Sequence, residues 1–160
     1  MILAVLALCL LPSLAHDGPT DACPMKDEHA AGVDARGDHG MGFDHLKTHH
    51  HFILTDDGGV IDVSANDPSD TASRDQIRSH LRHVASMFSA GDFSIPMFVH
   101  DTVPPGAETM KRLASKIAYG FEETPQGAHV VIRTADSAAL SAIHDFLRFQ
   151  IQDHRTGDPQ

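Results

Sequence analysis

Residues 48–65 read THHHFILTDDGGVIDVSA. Thr48 to Thr55 has strand character, Asp57-Gly58-Gly59 is a turn signal, and Val60 to Ala65 is a second β-branched run. Two such runs about a glycine turn predict a hairpin. Asn66 to Asp70 then carries loop and capping residues, and Thr71 to Ala90 reads as a helix closed by Gly91. On that helix Ile77, Leu81, Val84 and Phe88 fall at i, i+4, i+7 and i+11, one apolar face.

The same grammar returns downstream. Lys116 to Glu123 is strand-like, Pro125-Gln126-Gly127 is a turn, and Ala128 to Thr134 is a strand. Asp136 caps a second helix running to about His154, with Leu140, Leu147 and Ile151 on one face and Ile143 beside them. A shift of 66 residues lays Ile77 on Ile143, Leu81 on Leu147, Arg82 on Arg148, and Gly91-Asp92 on Gly157-Asp158. This predicts a duplicated β-β-α unit, about 48–92 and 116–158. Between the copies Phe93 to His100 reads as extended, Pro104-Pro105-Gly106 breaks the chain, and Ala107 to Ser115 reads as a short helix. The expected architecture is a single α+β domain over 47–160. It has a four-stranded, mainly antiparallel sheet, two long helices on one face and a short connecting helix.

Upstream, Ile2 to Leu11 is an unbroken apolar run followed by Ser13 and Ala15 at −3 and −1 spacing. As a helix the run spans about 15 Å, half of a roughly 30 Å hydrocarbon core, so it fits a signal peptide (1–15) better than an anchor. No Lys or Arg precedes it. The expected location is periplasmic or secreted, with no stable membrane insertion after cleavage. Residues 16–46 are rich in His, Asp and Gly and poor in large apolar residues, which predicts a flexible tail with order beginning near Lys47. After cleavage only Cys23 remains, so no internal disulfide can form.

A formal net charge of −10 argues against nucleic acid and anionic membranes and suits attraction of cations. The 13 histidines make a metal ion the expected partner; no protein partner can be named. His16, His29, His39 and His45 lie in the tail with Met25, Met41 and Cys23. His49-His50-His51 opens the first strand, where alternation puts His50 opposite the other two. His80 and His83 are three apart on the first helix, with Met87 beyond them, and the next segment supplies Met97 and His100. His144 falls inside the apolar face of the last helix, which His154 ends. The candidate ligands are His80, His83, Met97 and His100, with His50, His51 and His144 behind them; a three-imidazole site would need His80, His100 and His144 to converge. Imidazole with thioether favours copper, ahead of zinc or haem. No phosphate loop, G-x-S-x-G elbow, C-x-x-C or C-x-x-C-H is present, and no residue is assigned a catalytic role.

The stretches KTHHHFILTDDGGVIDVSANDPSDTASRDQIRSHLRH, PMFVHDTVPPG and AIHDFLRFQIQDHRTGD resemble a family of small exported bacterial proteins of unknown function, over roughly Met41 to Asp158. The resemblance implies a standalone domain and supplies no activity. His16, if first in the mature chain, resembles the histidine brace of copper monooxygenases at that single residue. The function expected from these readings is an exported metal-binding protein serving copper handling, resistance or sensing. Two alternatives stand beside it. One is an interaction module whose structural histidines respond to pH; the other is a small metal- or haem-dependent enzyme.

Overall fold

The computed structural model describes residues 24–160; the expected signal peptide, His16 and Cys23 lie outside them. In chain order the elements are helix α1 (Pro24–Met41), strands β1 (Thr48–Thr55) and β2 (Gly58–Ala65), helices α2 (Thr71–Ser89), α3 (Ser94–His100) and α4 (Ala107–Arg112), strands β3 (Ile117–Glu123) and β4 (Gly127–Thr134), and helix α5 (Ser137–Asp153). The strands form one antiparallel sheet in the order β1-β2-β4-β3. Side chains alternate across each strand. Phe52, Ile61, Val130 and Phe121 therefore stand in one register row facing the helices. Ile77, Leu81, Ile143, Phe146 and Leu147 close the core from α2 and α5.

Both expected β-β-α units are present, and each long helix packs chiefly on the other unit's hairpin: α2 over β3 and β4, α5 over β1 and β2. The correspondence reaches single atoms. A Cβ on Gly58 would stand 2.0 Å from the carbonyl oxygen of Ile132, and a Cβ on Gly127 would stand 2.0 Å from that of Val63. Gly58 corresponds to Gly127 and Val63 to Ile132 at one offset, 69 residues. The same offset relates Thr55 to Thr124. Arg78 on α2 donates to the carbonyls of Thr124 and Gly127, while His144 on α5 donates to those of Thr55 and Gly58. The helices themselves follow an offset of 66, Asp70 and Asp136 each capping its helix. The three-residue change arises in the loops, 66–70 in the first copy and 135–136 in the second.

Two segments differ from the sequence expectation. The stretch read as a flexible tail is helical from Pro24 to Met41, so order begins well before Lys47. It has no apolar stripe, which is why its composition reads as disorder. Tertiary contacts hold it instead. Val33 is buried, Arg36 Nε donates to the Val99 carbonyl at 2.8 Å, and Arg155 pairs with Asp34 at 2.8 Å. Gly42, at φ +78°, ends the helix with its N–H on the Asp38 carbonyl. The segment read as extended, Phe93 to His100, contains helix α3. The Asp92 carboxylate takes the Ser94 N–H at 2.9 Å, and Pro96, Val99 and His100 are buried at i, i+3 and i+4, a helical spacing hidden in a seven-residue run. No described helix is long and apolar enough to cross a membrane.

Candidate functional site

Where α5 ends, its last turn meets β1, α2, α3 and the end of α1 around an apolar cavity of about 60 Å³. That is room for about two water molecules. Four imidazoles line it: His50 from β1, His80 from α2, His100 from α3, and His154, the C-cap of α5. Alternation along β1 aims His50 inward, on the same face as Phe52. Its ring lies parallel to that of His154, centroids 5.4 Å apart at 8°. His154 in turn meets the His100 ring edge-on at 4.9 Å, and Phe43 packs against both His50 and His80. His50, His154 and Met41 also line a more polar outer cleft of about 260 Å³ along the β1 edge, so this stacked pair separates cavity from cleft.

Hydrogen bonding divides the described histidines sharply. The rings of His29, His45, His49, His51, His100, His129 and His144 all have polar partners. Five rings have none among the described residues: those of His39 and His83 are exposed, whereas those of His50, His80 and His154 face the cavity. Burial, then the fields of His80 and the neighbouring histidines, pushes His50 down to about 4. Burial and His83 push His80 down to about 4. Burial, with His50 and His100, pushes His154 down to about 3 against the opposing pull of Asp153 and Asp34. Without metal, these three rings are neutral at physiological pH, each with a free imidazole lone pair.

His100 behaves differently. It is 1% exposed, with Nδ1 on Asp153 Oδ2 at 2.5 Å and Nε2 on Gln150 Oε1 at 2.9 Å. Asp153 also takes the Nε2–H of His29 at 2.8 Å, tying α1, α3 and α5 to one carboxylate. Burial raises the Asp153 pKa, but the bonds from His100 and His29 outweigh it and hold the group below the usual carboxylate range. Gln150, 4% exposed, leaves its amide nitrogen without a partner beside the cavity. Turned by 180°, the same amide would donate that nitrogen's hydrogen to the Nε2 lone pair of a His100 ring whose Nδ1–H is on Asp153.

Of the seven expected ligands, His50, His80 and His100 come together. His83 and Met97 lie on exposed positions away from the cavity. His51 faces the outer cleft with Nδ1 on Asp158 at 2.7 Å. His144 latches the β1–β2 turn, so His80, His100 and His144 do not converge. His154, Gln150, Asp153 and Met41 are the residues the sequence reading did not select. The usable signal for His154 was its offset of 66 from Phe88, a core residue of the first copy.

Among the described residues one group of three donors, Asp38, Asp44 and His45, has ligand atoms within 4.8 Å of one another. Those donors are already engaged: Asp38 accepts the His45 backbone and ring N–H groups, and Asp44 caps the following turn through Leu46 N–H. Neither a protein-family model, nor a curated protein, nor a solved structure matches the chain.

Proposed function

We propose that this is an exported metal-binding protein that holds a soft or borderline ion, copper first, at the cavity between β1, α2 and the end of α5. His50, His80 and His154 would be the imidazole ligands and Met41 the thioether; the three rings' nitrogens do not all lie within 4.8 Å of one another in the metal-free chain, so they would draw together on the ion. The observation that carries the reading is the set of three half-buried, neutral imidazoles that face one cavity with no hydrogen-bond partner among the described residues. A structural histidine in a core is ordinarily satisfied, as His144 is, whereas a metal ligand must keep a lone pair free. The thioether beside them favours copper over zinc. Haem fits poorly, because about 60 Å³ does not admit a macrocycle. His100, its ring nitrogens occupied, would support the site from behind by fixing the end of α5.

The pH-responsive reading meets a specific obstacle. Rings pushed down to about 3 or 4 stay neutral through the interval near pH 5–8 where ordinary imidazoles change charge. Any response there would fall to the other histidines.

The test is titration of the purified, metal-free chain with Cu(II) and, under reductant, Cu(I), followed by elemental analysis after dialysis. One equivalent is expected to remain bound. His154→Ala and His50→Ala should each abolish retention, while His83→Ala and His129→Ala should leave it unchanged. Loss in Asp38→Asn with retention in His154→Ala would move the site to the Asp38–His45 group and sink the proposal.

A further inference from the structure

The sheet face turned away from α2 and α5 carries no described helix, and its side chains are ordered into two adjacent rows. His51, Asp62, His129 and Glu122 stand in register across all four strands; Ile53, Val60, Val131 and Gly120 form the next row. In the first row imidazole and carboxylate alternate, with His129 Nε2 on Glu122 at 3.1 Å. The second row is apolar, with Ile53 46% exposed at its end.

We infer that this face is a homodimer interface whose occupant is the same face of a second copy of this chain. The two rows select one symmetry. A two-fold axis parallel to the strands lays β1 over β3 of the second copy and β2 over β4, and keeps each row on itself in reverse order. His51 then meets Glu122 of the second copy, Asp62 meets His129, and Val60 meets Val131. Every imidazole of the row faces a carboxylate, a hydrogen-bonding match that strengthens when the ring is protonated, and the apolar row faces itself. An axis across the strands, set between the two rows, would instead lay Asp62 over Val60 and Glu122 over Gly120, desolvating both carboxylates without partners. A two-fold contact is the commonest closed assembly, and sheets pack face to face at about 10 Å. Four strands about 4.8 Å apart and about 26 Å long offer roughly 500 Å² per copy, at the low end of specific interfaces, so the dimer is a reversible one. The cavity opens on the opposite side of the sheet, so association leaves it accessible.

Sedimentation equilibrium of the purified chain from micromolar to millimolar concentration tests this. The expected result is a monomer–dimer equilibrium whose Kd rises at least tenfold in Val131→Asp and in Glu122→Lys, which sets Lys against His51 of the second copy. Glu122 lies exposed on an edge strand, so that variant reads the interface even if Val131→Asp fails to fold. Phe98→Asp, an exposed apolar position on α3, should leave Kd unchanged. A monomer at all concentrations overturns the inference. So does a dimer weakened by Phe98→Asp but indifferent to Val131→Asp and Glu122→Lys.

Discussion

The two β-β-α units share a backbone plan down to individual hydrogen bonds, yet only one corner between them holds the candidate site. At the corner formed by β3 and α2, Tyr119 packs edge-on against Phe88, 5.9 Å between centroids. The equivalent corner, formed by β1 and α5, holds His50 against His154, since Tyr119 lies 69 residues after His50 and His154 lies 66 after Phe88. Val84 of α2 likewise corresponds to Gln150 of α5, both buried. One corner is therefore an ordinary aromatic and aliphatic core, and the other is the same core rewritten in imidazole and amide. Helix α1 ends beside the second corner, where Met41 lines the cavity. The shared backbone lets either corner serve as a control for the other.

The largest effect should come where the halves are still alike. In Gly58→Ala or Gly127→Ala the new Cβ would meet a backbone carbonyl at 2.0 Å in the neighbouring central strand. No rotamer relieves a clash with main chain, so the β2–β4 seam must part. Each substitution is expected to cost about 4 kcal/mol or more. Chemical denaturation followed by circular dichroism should show similar losses for the two. A large loss at one glycine with tolerance at the other would mean that the seam is not symmetric in energy.

The second effect comes from erasing the difference. His50→Tyr with His154→Phe writes the first corner's residues, Tyr119 and Phe88, into the second. Copper retention should vanish, and the metal-free chain should become more resistant to acid. The sign follows from the depressed values. Between about pH 6.5 and 4 the unfolded chain binds protons on these histidines that the folded chain refuses, so folding stability falls as pH falls. Below about pH 3 both states are protonated and the loss levels off. With His50 held down to about 4 and His154 to about 3, from an ordinary 6.5, the penalty is on the order of a few kcal/mol per ring. Melting temperature measured from pH 7 to 4 should drop steeply in the metal-free parent and much less in the double variant. Equal slopes would mean that the acid sensitivity lies in other groups.

The same comparison explains what was legible in the sequence. Hairpins and long helices are written locally, in Asp57-Gly58-Gly59, in Pro125-Gln126-Gly127 and in the spacing of Ile77, Leu81, Ile143 and Leu147. Helix α1 is not, because one deeply buried side chain and a few polar tethers to distant residues hold it, and no local pattern encodes those tethers. At the site, alternation does place His50 opposite His49 and His51. Helical spacing also places His144 toward the sheet, but spacing cannot say that its ring will be consumed by the carbonyls of Thr55 and Gly58. His154 sits past the last apolar residue of its helix, and only the packing of that helix end against β1 brings it inside.

Arg78 and His144 sharpen the comparison at intermediate magnitude. They are the two latches, each donating to two carbonyls beside the opposite hairpin turn. Arg78→Ala and His144→Ala should each cost about 1–2 kcal/mol, because truncation leaves two carbonyls short of a donor. Neither should change copper retention. A loss of metal in His144→Ala with little loss of stability would return His144 to the ligand set and break its equivalence with Arg78.

The smallest expected effect lies just past the two helices, where equivalent aspartates have taken different work. Asp92 accepts the Ser94 N–H and starts α3. Asp158, at the same offset of 66, turns back onto β1, taking the Phe52 N–H at 2.9 Å and the His51 Nδ1–H at 2.7 Å. It therefore caps an edge-strand donor that would otherwise stand open. Burial raises the Asp158 pKa, but the hydrogen bonds from Phe52, Thr156 and His51 prevail and hold it below the usual carboxylate range. Its stabilisation is complete above about pH 4 and is lost as pH falls through the lower folded value. Asp158→Ala should cost about 1 kcal/mol at pH 7, and hydrogen exchange should quicken at Phe52 and its β1 neighbours while β3 is unchanged. Asp92→Ala should quicken exchange in α3 alone. If Asp158→Ala disturbed both edge strands equally, the cap would be acting through the whole sheet, and the two halves would be more tightly coupled than their separate hydrogen bonds imply.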